Sequence, residues 1–154
     1  MAVFAITLHV LAVIVWLGGL FLGFMALRPT LNGMATLEAA RIWVGVLGRF
    51  LPWVWGAIAV ILGSGIYMVF NSYDGFAHVP WFVQFMMGVG LMMMAAMGHL
   101  TFAPFKRLKG AVARSDEAVA AKAIGQIRII TGVALALGIA VVIVIMSGAY
   151  FSTD

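Results

Sequence analysis

The stretch from residue 129 to residue 151 reads IITGVALALGIAVVIVIMSGAYF and contains no charged side chain. A helix needs about 20 apolar residues to cross the hydrocarbon core of a bilayer. Three other apolar stretches of similar length lie upstream, at residues 2–27, 49–71 and 80–104. The sequence therefore predicts an all-α protein: an antiparallel bundle of four transmembrane helices, forming a single domain over residues 1–154.

The composition excludes an ordinary soluble domain. The chain is 65% hydrophobic and 9% charged, with a mean hydropathy of +1.16, whereas globular proteins are about 45–50% apolar and about 25% charged. The surplus apolar side chains must therefore face lipid. The chain has no cysteine, which excludes disulfides, iron–sulfur clusters and thiolate ligands.

The basic residues predict the topology. All of them fall in the first and third connections or at the helix ends beside them: Arg28, Arg41, Arg49, Lys106, Arg107, Lys109, Arg114, Lys122 and Arg128. The positive-inside rule places those connections in the cytoplasm, so both termini and the loop at 71–79 lie outside the bacterial inner membrane. We therefore attribute the net charge of +4 to topology and expect no nucleic-acid partner.

Both basic connections carry a second helical signal. Residues 36–49 and 115–128 begin with plausible N-cap residues, Thr36 and Ser115, followed by acidic residues and good helix formers. They either lie at the interface or extend the following spans. An offset of 79 residues superposes Glu38 and Arg49 on Glu117 and Arg128. This spacing indicates a duplicated two-helix hairpin, although chance matching in an apolar chain explains it equally well.

Two histidines within membrane depth are the main candidates for chemistry, because ionisable residues are rare there. His9 and His99 differ in depth by roughly 17 Å at 1.5 Å per residue. They cannot share one metal ion, whose opposite nitrogen ligands would be only about 4 Å apart. His78, at the outer mouth of the third span, is the better partner for His9. His99 remains a separate candidate cofactor ligand.

His9 shares a helix face with Trp16, Leu20 and Gly23. Imidazole suits both copper and haem iron, and Trp16 is placed to pack against a porphyrin. The alternative is that His9 hydrogen-bonds to a neighbouring helix and Trp16 packs in the bundle.

The third span is rich in methionine, with Met86, Met93 and Met97 aligned on one face together with Gly90. Thioethers are soft ligands that favour Cu(I), so these three are candidate metal ligands. The alternative is that methionine only fills gaps between helices. Acidic residues are absent from all four spans and no nucleophile–base pair is evident, so we assign no catalytic residue.

Four segments carry a resemblance to a known family: LHVLAVIVWLGGLFLGFMALRP at 8–29, GRFLPWVWGAIAVILGSGIY at 48–67, HLTFAPFKRL at 99–108 and IRIITGVALALG at 127–138. In this order they resemble the membrane domain of the copper resistance protein D (CopD-like) family. The resemblance implies copper handling across the inner membrane. Longer members carry this domain as their C-terminal half, and the present chain corresponds to a short form.

The region around His9 is also similar to the HemJ-type protoporphyrinogen oxidases, four-helix proteins that bind haem b. This likeness implies that His9 is an axial haem ligand. That family has a lysine near the start of the third helix, where this chain has His78-Val79-Pro80. The departure counts against oxidase activity more than against haem binding.

The leading hypothesis is an inner-membrane protein that binds or imports copper from the periplasmic side, with His9 and His78 as the first ligands. The competing hypothesis is a haem-b redox protein that oxidises a porphyrin or quinone. A third is an accessory membrane subunit without a ligand. Besides the lipid bilayer, we expect a homodimer or a partner membrane or periplasmic protein, because four helices leave little room for a pathway.

Overall fold

The computed structural model describes residues 2–151, and within them every regular element is helical. The α-helices are α1 (Ala2–Leu22), α2 (Arg28–Thr30), α3 (Thr36–Ser72), α4 (Trp81–Phe102), α5 (Pro104–Arg114) and α6 (Glu117–Phe151), with a π-helical turn at Gly23–Leu27 and a 3-10 turn at Phe76–His78. Four helical segments are long and apolar enough to cross a membrane: Val3–Thr30, Thr36–Ser72, Trp81–Arg114 and Glu117–Phe151. The predicted all-α fold with four membrane spans is confirmed.

The helical signals in the basic connections belong to the spans themselves. Residues 36–49 and 115–128 form the first turns of α3 and α6, apart from Ser115 and Asp116. The predicted N-caps are wrong: Ala35 precedes α3, and Ser115 ends α5 with a φ of 55°. The Asp116 carboxylate caps α6 instead, because it accepts the N–H of Val119 at 3.1 Å, whereas Ser115 takes the left-handed conformation that ends α5.

The end of the first span departs from regular α-helix. Gly23–Leu27 forms a π-helical turn, in which the N–H of Arg28 donates to the carbonyl of Gly23. Pro29 follows at once. Proline has no N–H and its ring clashes with the carbonyl four residues earlier. We attribute the wider turn to Pro29, because a π turn opens the backbone at that point.

The helices pack as two successive hairpins. Helix α1 lies mainly along α3, while α6 packs against both α4 and α5 and also contacts α3. The core side chains buried between them include Trp16, Leu20, Leu47, Val54, Met93, Met97, Leu100, Leu108 and Ile127. Close approach depends on small residues, since a Cβ added at Gly19 would overlap the Phe50 ring.

The outer surface of the bundle is apolar. In each span only 17–22% of the most hydrophobic window is buried inside the molecule. Large apolar side chains such as Phe4, Ile14, Phe70 and Ile143 are more than half exposed. Apolar area on this scale requires a lipid surrounding, so the chain is a multi-pass membrane protein.

The first and last residues of the long helices repeat with the 79-residue offset that was noted in the sequence. Shifted by 79 residues, the bounds of α1 and α3 fall within two residues of those of α4 and α6. Each hairpin also carries a Ser-Gly pair near the end of its second helix, Ser64-Gly65 in α3 and Ser147-Gly148 in α6. The Ser-Gly pairs, however, lie 83 residues apart rather than 79, one extra helical turn, and the duplicated hairpin stays a prediction.

Candidate copper and cofactor site

The side chain of His9 is held by Ser64 across the interface between α1 and α3. The distance from His9 Nδ1 to Ser64 Oγ is 2.9 Å, and the imidazole lies against Gly65, where an added Cβ would be 3.6 Å from its Cε1 atom. Both residues are half-buried. The helix pair therefore fixes both the position and the plane of the ring.

The hydrogen bonds of Ser64 indicate which imidazole nitrogen carries the proton. The Ser64 hydroxyl donates to the carbonyl of Val60 at 2.6 Å, with the carbonyl of Ile61 at 3.2 Å. A hydroxyl has only one hydrogen, so we assign the tautomer in which the Ser64 hydrogen goes to Val60 and Ser64 Oγ accepts the N–H of His9 Nδ1. In this neutral tautomer the second nitrogen, Nε2, carries the lone pair that a metal ion would bind.

Trp16 lies two turns further along the same face of α1 and is 4% exposed. Its indole N–H has no hydrogen-bond partner among the described residues. The side chain belongs to the central hydrophobic core together with Leu20 and Met93. Trp16 therefore packs inside the bundle, and its role as a cofactor contact stays a prediction.

The methionine face of α4 points into the bundle. Met93 and Met97 are 5% and 1% exposed, and Met86 is half-buried against the smaller apolar cluster that includes Val69, Val79, Phe82 and Val83. Their neighbour Met92 is 54% exposed. The alignment deduced from the sequence thus corresponds to the inward face, which places three thioethers along the interior of one helix.

One contact gives the depth of His9 in the bundle relative to the methionine face of α4. A Cβ added at Gly138 of α6 would meet both Leu17 of α1 and Met93 of α4, the latter at 3.2 Å. Leu17 and Met93 therefore lie at the same level. At 1.5 Å per residue, His9 lies about 12 Å and Met86 about 10 Å from that level, toward the N-terminal ends of their helices. The two residues therefore lie at similar depths, on helices α1 and α4 that are not among the closely packed helix pairs.

The other two histidines lie at opposite ends of α4. His78 is exposed in the 3-10 turn before α4, and His99 is exposed in its last turn. The same register places His99 about 21 Å deeper than His9. Among residues 2–151, no hydrogen bond joins His78 or His99 to His9, so the predicted pairing of His9 with His78 stays a prediction.

The donor set is neutral and soft. Within residues 2–151 no group of three or more His, Cys, Asp or Glu side chains could hold a metal ion. One imidazole nitrogen and a series of thioethers suit a Cu(I) ion, which prefers soft ligands, and do not suit Mg²⁺ or Ca²⁺. The contribution of Ser64 was missed from the sequence, although a serine followed by glycine within an apolar span was the available signal.

Comparison with known proteins identifies the family. The family model of copper resistance protein D matches residues 44–148, which run from the early part of α3 almost to the end of α6. This segment includes Ser64, His78 and the methionine face, whereas His9 lies outside it. No curated protein and no solved structure matches the chain significantly. Because the match covers more than half of the sequence, the chain belongs to the copper resistance protein D family.

Proposed function

We propose that the protein binds Cu(I) at the outer side of the bacterial inner membrane and passes it inward along the bundle. The observation that carries this proposal is the 2.9 Å contact between His9 Nδ1 and Ser64 Oγ, which holds the ring and, in the tautomer assigned above, leaves Nε2 to act as the ligand. A histidine bound to copper or zinc usually donates its other N–H to a fixed acceptor. Ser64 supplies such an acceptor.

The inward path in this proposal follows α4. His78 is exposed at the mouth and acts as the first ligand, and His9 and Met86 come next at one depth. Met93 and Met97 continue toward the other end of the helix, one to two turns apart. Neutral ligands at such intervals favour transfer, because no single site holds the ion with a full coordination shell.

The topology and assembly belong to the same proposal. The positive-inside rule places the basic connections in the cytoplasm, with the N-terminus and the C-terminus outside. The four helices bury few polar groups between them. A second copy or a partner membrane protein therefore completes the pathway.

The second candidate function is haem-b binding, because the same free nitrogen suits an axial iron ligand. His9 is the imidazole available at its depth, since His99 is about 21 Å deeper. The residues present would thus supply one imidazole ligand, His9, to the iron. A bound haem would supply one-electron redox chemistry, while Ser64 would hold the imidazole in the required tautomer.

Two measurements test these functions. Visible spectra of the purified protein, oxidised and then reduced with dithionite, reveal any haem. We expect no Soret band, and a Soret band that is lost in His9→Ala would favour the haem function. Titration with Cu(I) against a competing chelator should show binding that weakens by about tenfold or more in His9→Ala. Equal Cu(I) affinity in the wild type and in His9→Ala would contradict the copper proposal.

A further inference from the structure

A groove of about 560 Å³ lies where α4 meets α5, far from His9 along the chain. Three cationic side chains line it, Lys106, Arg107 and Arg114, together with Phe102, Ala103 and Gly110. The basic residues recur on one side of α5 because positions three, four and seven apart share a helix face. The groove is thus a concentration of positive charge with an apolar edge.

The three cations of the groove are not paired with acidic side chains in the part of the chain that the structure describes. Among residues 2–151 none of the three makes an ion pair with an Asp or Glu side chain. Arg114 instead folds back over Gly110, where an added Cβ would be 3.4 Å from its Nη1 atom. Glycine at 110 therefore leaves room for the guanidinium and keeps the groove open. Three positively charged side chains that lie on one concave surface, without an acidic partner among the described residues, favour the binding of an anion.

The position of the groove indicates the source of that anion. Phe102 is 73% exposed at the end of a membrane span, and its ring lies 6.3 Å from that of Trp55. Tryptophan favours the headgroup level of a bilayer. On its opposite side α5 buries Phe105, Leu108 and Ala111. The helix therefore lies at the membrane boundary, with the groove beside the lipid headgroups.

We propose that this groove binds the phosphate of an anionic phospholipid, held by Lys106, Arg107 and Arg114, with an acyl chain beside Phe102. Clusters of basic residues next to a span bind anionic lipids, and each residue contributes roughly fivefold in affinity. The site is independent of the copper proposal, because it shares no residue with the candidate ligands. It would anchor the hinge between α4 and α5 to the inner leaflet.

The test uses the full-length protein, delipidated in a neutral detergent. Native mass spectrometry measures how much phosphatidylglycerol and phosphatidylcholine, with matched acyl chains, bind from an equimolar mixture. We expect the wild type to prefer phosphatidylglycerol severalfold. The combined variant Lys106→Gln, Arg107→Gln, Arg114→Gln should bring the ratio close to one.

Two controls separate a shaped site from diffuse charge. The combined variant Arg41→Gln, Lys109→Gln, Lys122→Gln removes three exposed cations outside the groove and should keep the preference. Gly110→Leu keeps every charge but fills the groove, and should lower the preference. The proposal is overturned if the first control loses the preference as fully as the groove variant, or if Gly110→Leu retains it completely. Displacement of phosphatidylglycerol by an equal concentration of inorganic phosphate would also overturn it, because the ligand would then be free phosphate.

Discussion

Ser64 determines the chemical state of His9. In the assigned tautomer its hydroxyl hydrogen goes to the carbonyl of Val60, its oxygen accepts the N–H of Nδ1, and Nε2 keeps a lone pair. Without this acceptor the imidazole could adopt either tautomer and rotate. Ser64 is therefore a positioning residue, acting on the ligand through one hydrogen bond.

We expect Ser64→Ala to weaken Cu(I) binding by about 10–100-fold, the usual effect of losing the partner of a metal-bound histidine. Competition with a chromophoric Cu(I) chelator measures the affinity. Ser64→Thr retains a hydroxyl and should restore most of the binding. The matched control is Ser147→Ala, in the corresponding Ser-Gly pair of α6, which should leave the affinity unchanged. An unaltered affinity in Ser64→Ala would refute the role of this serine.

Two adjacent glycines in α1 differ sharply in their surroundings. A Cβ at Gly19 would overlap the Phe50 ring, whereas a Cβ at Gly18 meets nothing within 4 Å. We expect Gly19→Ala to lower the free energy of unfolding by about 1–3 kcal/mol through overpacking. Gly18→Ala should be neutral or slightly stabilising, because alanine is the better helix former. Unfolding in mixed detergent micelles measures both, and equal stabilities would show that α1 does not pack closely on α3.

At the residue scale, helical periodicity was enough to place Trp16 and Leu20 on the inward face together with His9. The partner of His9 could not be predicted in the same way. Periodicity shows which face of a helix is buried, but it does not show which residue of another helix lies opposite. Ser64 is 55 positions away, and only the packing of α1 on α3 brings it to the imidazole.

Helix α4 carries methionines on both its inward and its lipid-facing sides. Met93 is 5% exposed and Met92 is 54% exposed, although they are adjacent in sequence. Leucine has a similar volume to methionine and replaces it at little cost in stability. The two positions therefore form a matched pair in which only the direction of the thioether differs.

We expect Met93→Leu to reduce Cu(I) uptake into proteoliposomes severalfold, since it removes one soft ligand from the inward face. Met92→Leu should support uptake at the wild-type rate. Thermal unfolding of both variants checks that the bundle is intact. Equal uptake rates in the two variants would assign the methionines to packing alone.

The elements that the sequence left undefined lie at the end of the bundle that carries the basic connections. Helix α5 separates from α4 at Ala103, whose φ and ψ of −112° and −81° break the helix before Pro104. Because α5 has a polar face, a search for apolar spans assigns its residues to a loop. The π turn before Pro29 likewise depends on the local clash of the proline ring with the backbone. A hydropathy pattern contains no information about such a clash.

At the scale of the whole molecule, the order and length of the four spans follow directly from hydropathy, because lipid exposure forces each span to be apolar along most of its length. The arrangement of the spans does not follow in this way. Both faces of each helix are apolar, so the pattern cannot show that α6 rather than α1 lies against α4 and α5.

The predicted orientation can be measured with introduced cysteines, because the chain has none of its own. Ala77 precedes α4 in the outer loop and Ala113 lies in α5, and both are exposed. We expect an impermeant maleimide to label Ala77→Cys on intact spheroplasts and to label Ala113→Cys only after the membrane is opened. The opposite labelling pattern would reverse the topology and the direction of the proposed path.

The apolar stretches 2–27, 49–71, 80–104 and 129–151 contain no acidic residue, which has an electrical consequence for the proposed path. The ligands along the bundle are imidazole and thioether groups, which carry no charge, so a Cu(I) ion passing between them keeps its full positive charge. Its passage is therefore electrogenic. A membrane potential that is negative inside favours inward movement by about 2.3 kcal/mol per 100 mV. In the proposed function, the membrane potential therefore assists the inward movement of the ion.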